Sequence, residues 1–495
     1  MISSRSGKTL TQTFPSCSKP RLSTQSCNDL RYHLLPSQTY GFAYSDLTAK
    51  KVVAMNVLSR MKMQLDKAIF FSAIILSVLV LTLSATAQND STQTGTPKLL
   101  QPSGPFGIGR VAFDWTDPSR PADMAEGPAT KSELMVYVWY PSEATTREVK
   151  GSLFPGAKQV DADTGVAGGI KKNVFGGNWA LVVSGEITSH AQENVPIAAN
   201  PRIFPIIIFS PGAFMSCFQY SSAIEDLVSH GYIVAAIEHT YEVFAVIFPS
   251  GEVVAYSPKR IQKRFLPEPG ATPEELDTKL MDWSRHRVDV RAADQSFVLD
   301  KLNQLNASPE KSSQFSGRLD LAHVAAVGHS RGGWASIVAC RRDARFKACV
   351  NEDGQAEGEG LQYPGTPTPT QPILYVETPP VLPKDWVVLK KLNLTSDEWL
   401  QGWHQTVNRE FGSFPSGGYF VELKLAGLEH YSFTDEIILR AAKDSTDDKE
   451  ATAAQGLRLT EGVTRAFLDE YLKNEKQTKL QDGSETTVKR FGPKN

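Results

Sequence analysis

The sequence has no surplus of charge of either sign. Its 52 Lys and Arg residues against 54 Asp and Glu residues give a formal net charge of −2 over 495 residues. The lack of a basic surplus argues against a nucleic-acid partner, and the lack of an acidic surplus argues against a solvating acidic tail. The H-E-x-x-H and C-x-x-C motifs are also missing and the nine His residues are scattered, so the sequence predicts no metal site.

No apolar run reaches the roughly 20 residues that a membrane-spanning helix needs. The main run covers residues 68–83; lysines precede it and the small-residue site Ala85-Thr86-Ala87 follows it. This order is typical of a secretory signal peptide. We therefore predict a signal over residues 61–87, cleavage after Ala87, and a periplasmic or secreted protein. The alternative is an uncleaved signal segment, which is the only membrane association that we expect.

The predicted signal lies far from residue 1, although a signal peptide normally opens a chain. Met61 and Met63 stand where a start is expected. Residues 1–60 are rich in Ser, Thr, Lys and Arg and have no clear periodicity. We interpret them as a disordered leader or an over-extended reading frame and assign them no part of the fold.

Cysteine is scarce, with five residues in the chain. Three of them, Cys217, Cys340 and Cys349, lie in the part predicted to be exported. An odd number in an oxidising compartment leaves at least one thiol unpaired within the chain. A bridge between Cys340 and Cys349 would join a helix end to the next strand. Because the sequence does not supply the geometry that a disulfide needs, we expect two buried free thiols instead.

Residues 98–475 alternate between strand-like and helix-like patterns. Continuous apolar runs at 206–209, 232–237 and 323–327 are typical of strands buried on both faces. The alternation predicts an α/β fold with a mostly parallel central sheet and helices on both faces. We assign the whole range to one catalytic domain, because large α/β domains commonly exceed the usual domain length.

The patterns around this core predict further elements. An inserted hairpin is indicated by two short apolar runs around a Pro-Ser-Gly turn, and a long helix by the capping-box pair Thr272 and Glu275. The predicted elements are a hairpin at 243–256, helices at 272–305, around 383–410 and at 457–472, and strands at 346–350, 373–376 and 419–425, the last being the final strand.

The motif Gly328-His329-Ser330-Arg331-Gly332 stands between a predicted strand and a predicted helix. A serine on such a sharp turn holds its hydroxyl out at the top of a sheet, and glycines let the backbone cross closely. The helix N-terminus adds positive potential where an oxyanion would form. The motif alone arises readily by chance, but its strand–turn–helix context makes Ser330 a candidate nucleophile.

A serine nucleophile needs a base, and the base needs an orienting acid. In α/β-hydrolases the order along the chain is serine, acid, histidine, and only His404 and His430 follow Ser330. His430 comes just after a predicted strand, whereas His404 lies in a helical pattern, so we predict His430 as the base. Asp353 and Glu352 both end a predicted strand. We favour Asp353 as the acid because the glycine after it permits a sharp turn.

An oxyanion hole needs two backbone N–H groups. One is expected from Arg331, just after the serine, and the other from the loop 210–214, after an earlier buried strand. Pro211 has no N–H, so Ala213 is the best donor in that loop and Phe214 the second. The alternative is an ordinary Pro-Gly turn.

Several blocks of the sequence carry a family resemblance. They are residues 204–212, 227–239, 289–291, 297–300, 328–333 and 430–435. Together they resemble the platelet-activating-factor acetylhydrolase family of α/β-hydrolases and its bacterial carboxylesterase relatives over about residues 100–440. The resemblance implies an α/β-hydrolase fold. We expect no cofactor, because a serine, a base and an oxyanion hole supply the chemistry.

The resemblance also assigns roles that agree with those argued from the residues. It implies Ser330 as nucleophile, Asp353 as acid, His430 as base, and Ala213 and Arg331 as oxyanion donors. It treats Glu238 and His239, which look catalytic in isolation, as structural residues near the site.

Two positions depart from the family pattern. Pro211 stands where the family often has His, and Arg331 stands where it commonly has an apolar residue. The Arg331 cation is expected either to attract an anionic group of the substrate or to pair with a local carboxylate.

The function expected from these observations is that of an exported serine hydrolase of carboxylic esters, similar to 1-alkyl-2-acetylglycerophosphocholine esterase. Its expected substrates are short-chain acyl esters, including phospholipid esters, cleaved through an acyl-enzyme. The alternatives are a polyester hydrolase or peptidase of the same fold, and a binding protein that keeps the fold without turnover. We expect the pocket to be bordered by the 241–257 insertion, Phe214 and Trp334.

Overall fold

Alternating strands and helices build one ten-stranded, mostly parallel sheet in this computed structural model. The structure describes residues 96–122, 124, 131–143, 151–163, 166, 168–257, 260, 272–309, 313–354, 369–378, 395, 397–398, 401, 405, 417–444, 447–475 and 480–492. The predicted leader, the predicted signal, His404 and nearly all of the helical pattern around 383–410 lie outside these residues.

The strands are β1 (Gly107–Pro121), β2 (Lys131–Ser142), β3 (Gly151–Ser152), β4 (Thr188–Ser189), β5 (Gln192–Glu193), β6 (Phe204–Ser210), β7 (Ile233–Glu238), β8 (Ala245–Ile247), β9 (Val253–Ala255), β10 (Leu319–His329), β11 (Phe346–Glu352), β12 (Ile373–Glu377), β13 (Gly418–Leu423) and β14 (Thr486–Phe491). The helices are α1 (Ala157–Ala162), α2 (Gly168–Lys171), α3 (Trp179–Ser184), α4 (Ser221–Ser229), α5 (Pro273–Ala307), α6 (Arg331–Arg342), α7 (Asp435–Asp444) and α8 (Asp447–Leu472).

The strand order in the large sheet is β14-β13-β12-β11-β10-β6-β7-β2-β1-β5. Strands β13 to β7 in this order are parallel, while β2 and β14 join them antiparallel. The predicted mostly parallel sheet is confirmed, as is the inserted hairpin, formed by β8 and β9. The prediction of 419–425 as the final strand is wrong, because β14 pairs with β13 and extends the sheet past residue 475.

Two apolar cores lie on opposite faces of the sheet, because side chains alternate along each strand. On β6, Ile207 and Phe209 pack into the core under α4 and α8. Ile206 and Ile208 pack into the other core, with residues of α5 and α6. Helices therefore cover both faces, which explains why the central strands are apolar throughout.

The register of the parallel strands determines where the loops meet. Gly328 of β10 lies opposite Ser210 of β6 on one side and Asn351 of β11 on the other. The carboxyl ends of these three strands therefore lie at the same edge of the sheet. The loops that carry Ser330, Ala213 and Asp353 leave from this edge as neighbours.

Cys340 and Cys349 form a disulfide, with their Cα atoms 6.4 Å apart. The prediction of two free thiols is wrong, because the return from α6 to β11 brings both side chains to one place. Cys217 is buried and free. Among the described residues, no helix is long and apolar enough to cross a membrane, and no cluster of His, Cys, Asp and Glu has the arrangement of a metal site.

Candidate active site

Ser330 lies on a sharp turn between β10 and α6. Its backbone has φ 54° and ψ −123°, a left-handed conformation that is costly for a residue with a side chain. The turn is this tight because Gly332 passes against the neighbouring strand: a Cβ there would lie 1.9 Å from the Ser210 carbonyl oxygen. The Ser330 N–H donates to the Glu352 carbonyl at 2.8 Å, which fastens the turn to β11.

The structure brings Ser330, His430 and Asp353 together. His430 Nε2 lies 2.9 Å from Ser330 Oγ, and His430 Nδ1 lies 2.7 Å from Asp353 Oδ2. A carboxylate only accepts, so Nδ1 carries the proton and Nε2 accepts from the serine hydroxyl. Burial raises the pKa of Asp353, but the hydrogen bond from His430 and the nearby imidazoles outweigh it, and the pKa lies below its usual value. The His430 side chain is 42% exposed, so this arrangement is open to a substrate.

The two carboxyl side chains at the end of β11 point in different directions. Asp353 takes a positive φ of 50°, and its N–H donates to the Val376 carbonyl at 2.7 Å. That turn aims its side chain at His430. The Glu352 side chain points into the core instead, where it accepts a hydrogen bond from Thr464 at 2.7 Å and burial raises its pKa to about 7.

The loop after β6 presents one N–H that has no acceptor among the described residues. Gly212 N–H donates to the Tyr220 hydroxyl at 2.9 Å, and Phe214 N–H donates to the Glu242 carbonyl at 3.0 Å. The Ala213 N–H makes no hydrogen bond within the described part of the chain. Of the two candidates from the sequence, the structure therefore leaves Ala213 available and occupies Phe214. The Arg331 N–H is the first of α6 and has no acceptor within that helix.

The Arg331 side chain lies under the site rather than in solvent. Its guanidinium stacks on Trp283, with the carbon 4.3 Å from the ring centroid. Its Nη1 lies 3.9 Å from the Glu242 carboxylate, too far for a hydrogen bond. Burial lowers the pKa of Arg331 to about 9, although Glu242 opposes that effect. Of the two expectations for this cation, proximity to a local carboxylate is the one that the structure shows.

His329, inside the serine motif, links the two loops of the site. Its Nε2 lies 2.8 Å from the His430 carbonyl, which only accepts, so Nε2 donates. Its Nδ1 then accepts from the Tyr220 hydroxyl at 2.9 Å, and Tyr220 accepts from Gly212 N–H. Burial and the nearby His430 lower the pKa of His329 to about 3, so the ring stays neutral. The sequence placed His329 in the motif but gave no sign of these partners.

A second serine–histidine–aspartate arrangement lies beside the first. His239 Nε2 lies 2.8 Å from Ser210 Oγ, and His239 Nδ1 lies 2.8 Å from Asp294 Oδ2. Ser210 has no exposed surface and His239 is 1% exposed. Burial, followed by the charge of Arg291, lowers the pKa of His239. This group links β6 to the end of β7 and to α5; the structural role that the resemblance implies for His239 stays a prediction.

The aromatic side chains near the site differ from those expected. Phe214 contacts Tyr256 of the predicted insertion, with ring centroids 4.4 Å apart, and stacks at 6.5 Å on Trp283. Trp334, in contrast, is 3% exposed and packs in the core beneath α6. Trp334 therefore does not border the site. Sequence reasoning missed Trp283, because its position in the long helix α5 carries no signal of proximity to the serine.

The sheet topology, the strained serine turn and the chain order Ser330, Asp353, His430 define the class: the protein is an α/β-hydrolase. More narrowly, the chain belongs to the family described as platelet-activating factor acetylhydrolase, isoform II, whose model matches residues 91–378. The predicted family and fold are thereby confirmed.

Individual relatives match part of the chain. A probable 1-alkyl-2-acetylglycerophosphocholine esterase of Arthroderma benhamiae is 27% identical over 269 residues, which are 53% of this chain and 60% of the relative. The platelet-activating factor acetylhydrolase of Cavia porcellus is 26% identical over 270 residues, covering 51% of this chain and 54% of the relative. The chain thus spans little more than half the length of these curated relatives.

A solved structure is similar in fold. The ferulic acid esterase from Streptomyces cinnamoneus superposes with a TM-score of 0.55 at 22% sequence identity, over 80% of this chain and 99% of that one. At this identity the likeness concerns the arrangement of strands and helices.

Proposed function

We propose that the protein is a serine esterase that hydrolyses short acyl esters through an acyl-enzyme. The observation that carries the proposal is the continuous chain from Asp353 through His430 to Ser330, at 2.7 and 2.9 Å. The names of the two relatives, an esterase and an acetylhydrolase, support the same reaction and a short acyl group.

The geometry supports a mechanism in two halves. His430 Nε2 takes the Ser330 proton while Oγ attacks the ester carbonyl, and the oxyanion forms toward the N–H groups of Ala213 and Arg331. His430 then gives the proton to the leaving alcohol. In the second half a water gives a proton to His430 and adds to the acyl carbon. The bond from that carbon to Ser330 Oγ then breaks, His430 returns the proton to Oγ, and the acid leaves. Asp353 holds the imidazole in the tautomer that both halves need.

A fluorophosphonate probe and p-nitrophenyl acetate test the proposal directly. The wild-type chain should be labelled at Ser330 and should hydrolyse the ester, and Ser330→Ala should lose both while its circular dichroism is unchanged. Loss of the nucleophile typically removes several orders of magnitude of kcat. Activity of Ser330→Ala near the wild-type level would refute the proposal, and an unlabelled, inactive wild type would favour a binding protein.

A substrate panel separates the remaining alternatives. We propose that a short acyl ester, either a simple ester or a 2-acetyl phospholipid, is turned over with a higher kcat/KM than a feruloyl ester, a polyester or a peptide amide. A peptide or polymer as the best substrate would move the chain to one of the other hydrolase classes considered above.

We also propose that the protein is exported and that the signal over 61–87 is removed. The support is the order of lysines, apolar run and small-residue site in the sequence. N-terminal mass spectrometry of the secreted or periplasmic protein should find Gln88 as the first residue. An N-terminus that still includes residues 68–83 would indicate an anchor.

A further inference from the structure

We infer that Arg291, together with Glu242, is a positioning residue that orients the Ala213 N–H for the oxyanion. The inference rests on the proposed function, because it concerns the oxyanion hole of that esterase. It assigns a role in the reaction to two buried charged residues outside the triad.

Arg291 binds both the loop after β6 and a carboxylate. Its side chain has no exposed surface. Its guanidinium donates from Nη1 to the Pro211 carbonyl at 2.5 Å, from Nη2 to the Gly212 carbonyl at 3.5 Å, and from Nε to Glu242 Oε2 at 3.0 Å. One planar group therefore binds the Pro211 carbonyl closely and reaches the next carbonyl of the same loop, that of Gly212, which also accepts from the Met215 N–H at 3.3 Å.

The geometry of the peptide bond carries this contact to the N–H. In a trans peptide the C=O and the following N–H point in opposite directions. Because the Gly212 carbonyl faces Arg291, the Ala213 N–H of the same peptide unit points away from Arg291. The next unit is fixed as well, since the Phe214 N–H donates to the Glu242 carbonyl at 3.0 Å. The Ala213 N–H thus lies between two groups of the loop that have partners: Arg291 contacts the Gly212 carbonyl, and the Glu242 carbonyl binds the Phe214 N–H.

Glu242 is itself held rigidly and charged. Arg287 donates from Nε to Glu242 Oε1 at 2.6 Å. Burial raises the pKa of Glu242, but the charges of Arg287 and Arg291 outweigh it, and the pKa lies far below its usual value. With Arg331 at 3.9 Å, three guanidinium groups surround one carboxylate. This positive surplus lies beneath the loop whose Ala213 N–H faces the oxygen on which negative charge would develop.

A lysine cannot replace Arg291 in this arrangement. A single ammonium has no planar fork, so it cannot serve two carbonyls and a carboxylate in one fixed geometry. Arg291→Lys keeps the charge and loses the orientation, which makes it the informative variant. A role confined to folding predicts lower stability with unchanged kcat, whereas orientation of the oxyanion donor predicts a loss specific to the transition state.

The experiment compares kcat, KM and the inhibition constant of a trifluoromethyl ketone. Ser330 Oγ adds to that ketone while its proton passes to His430, and the product is a tetrahedral oxyanion. For Arg291→Lys we expect kcat to fall about 10- to 100-fold, below the loss typical of deleting a whole donor. KM should stay within about threefold, and the inhibition constant should rise by the factor by which kcat/KM falls.

Arg110→Lys is the matched control. Arg110 is also fully buried and binds a carboxylate, that of Glu193, and a backbone carbonyl, that of Ser152. It lies in β1 and makes no hydrogen bond to residues 210–214; its contact beyond that loop is the Phe218 ring, whose centroid lies 5.4 Å from the guanidinium carbon. It should lose thermal stability without a change in kcat or in the inhibition constant. If Arg291→Lys behaves in the same way, the inference is wrong.

Glu242→Gln keeps the test decisive if Arg291→Lys does not fold. The amide is isosteric and leaves the backbone carbonyl that binds Phe214, so we expect a smaller fall of kcat with unchanged KM. Wild-type kcat in a folded Glu242→Gln would overturn the inference. Failure of the proposed function looks different: the wild type itself would then neither hydrolyse esters nor react with the ketone.

Discussion

Single residues decide the chemistry, and the best example is the pair at the end of β11. Both carboxyls were plausible acids in the sequence, where only the following glycine favoured Asp353. The structure gives them opposite environments: Asp353 contacts an imidazole, while Glu352 contacts Thr464 inside the core. The difference arises from one positive φ at Asp353, which no sequence pattern specifies for an aspartate.

The first prediction compares these two carboxyls. Asp353→Asn should lower kcat on p-nitrophenyl acetate by about 10⁴-fold, because the imidazole loses the partner that sets its tautomer. Glu352→Gln should keep kcat within a few-fold, since its amide oxygen can still accept from Thr464. A larger loss for Glu352→Gln than for Asp353→Asn would move the acid to Glu352.

At the level of helices and strands, the sequence was most informative where apolar patterns are long. The capping box of Thr272 and Glu275 opens α5 as predicted, and the buried central strands lie where the apolar runs are. It failed for β14, a short edge strand with polar residues, because such a pattern has no periodic apolar face. It also missed the contacts of Arg291, because a helical position does not reveal which distant loop a side chain reaches.

The second prediction concerns the disulfide that joins the end of α6 to β11. The bond closes a loop of sequence separation 9, which corresponds to about 2–3 kcal/mol of unfolding free energy. The double change Cys340→Ser and Cys349→Ser should lower the urea midpoint accordingly. It should not change kcat, because Cys340 lies about 15 Å along the helix from Ser330.

Cys217→Ala is the control for this prediction, since it removes a buried sulfur without removing a cross-link. A midpoint of the double variant equal to that of the wild type, measured without reductant, would show that the bond contributes nothing to stability.

The third prediction concerns three buried carboxyls around α7 and α8. Burial raises the pKa of Glu352 and of Asp435 to about 7, and burial together with the charge of Asp226 raises that of Glu461 to about 8. These groups stay protonated to a higher pH in the folded chain than in the unfolded chain. Below about pH 4.5 these carboxyls are protonated in both states and cost the folded state nothing. As the pH rises to about 8, they ionise in the unfolded chain first, which favours unfolding. The contribution of these three groups to the free energy of unfolding should therefore fall between pH 5 and pH 8.

Glu461→Gln isolates one of these groups. It should make the protein more stable at pH 8 by up to about 4 kcal/mol and should reduce the pH dependence measured by urea unfolding. Glu450→Gln, a change at an exposed position of the same helix, should leave the dependence unaltered. A pH dependence of Glu461→Gln equal to that of the wild type would contradict the assignment of the Glu461 pKa shift.

At the scale of the whole molecule, the fold class followed from the alternation of buried strands and helices, and the chain order of the three site residues followed from that fold. The sequence did not predict contacts between segments that are distant along the chain. These contacts include the disulfide, the second triad and the surroundings of Arg331. These depend on register and on side-chain direction, which local patterns leave open.

The fourth prediction concerns the N-terminal part of the chain. Leu100 N–H donates to Ser222 Oγ at 3.1 Å, and Ser103 N–H donates to Asp226 at 2.9 Å, so residues just past the predicted cleavage site are fastened to α4. A chain that begins at Gln88 should keep the kcat and the thermal midpoint of the full-length protein. A clear loss of either would show that residues 1–87 take part in folding.

The buried second triad has a consequence for how hydrolases are recognised. A search for three side chains in this spatial arrangement would find the protein twice, at Ser330 and at Ser210. Only one copy can meet a substrate, because Ser210 has no exposed surface, and an active-site titration should therefore consume one equivalent of reagent per chain. The same arrangement of three residues can therefore serve as a buried structural hydrogen-bond network or as a catalytic site. Access to solvent decides between the two.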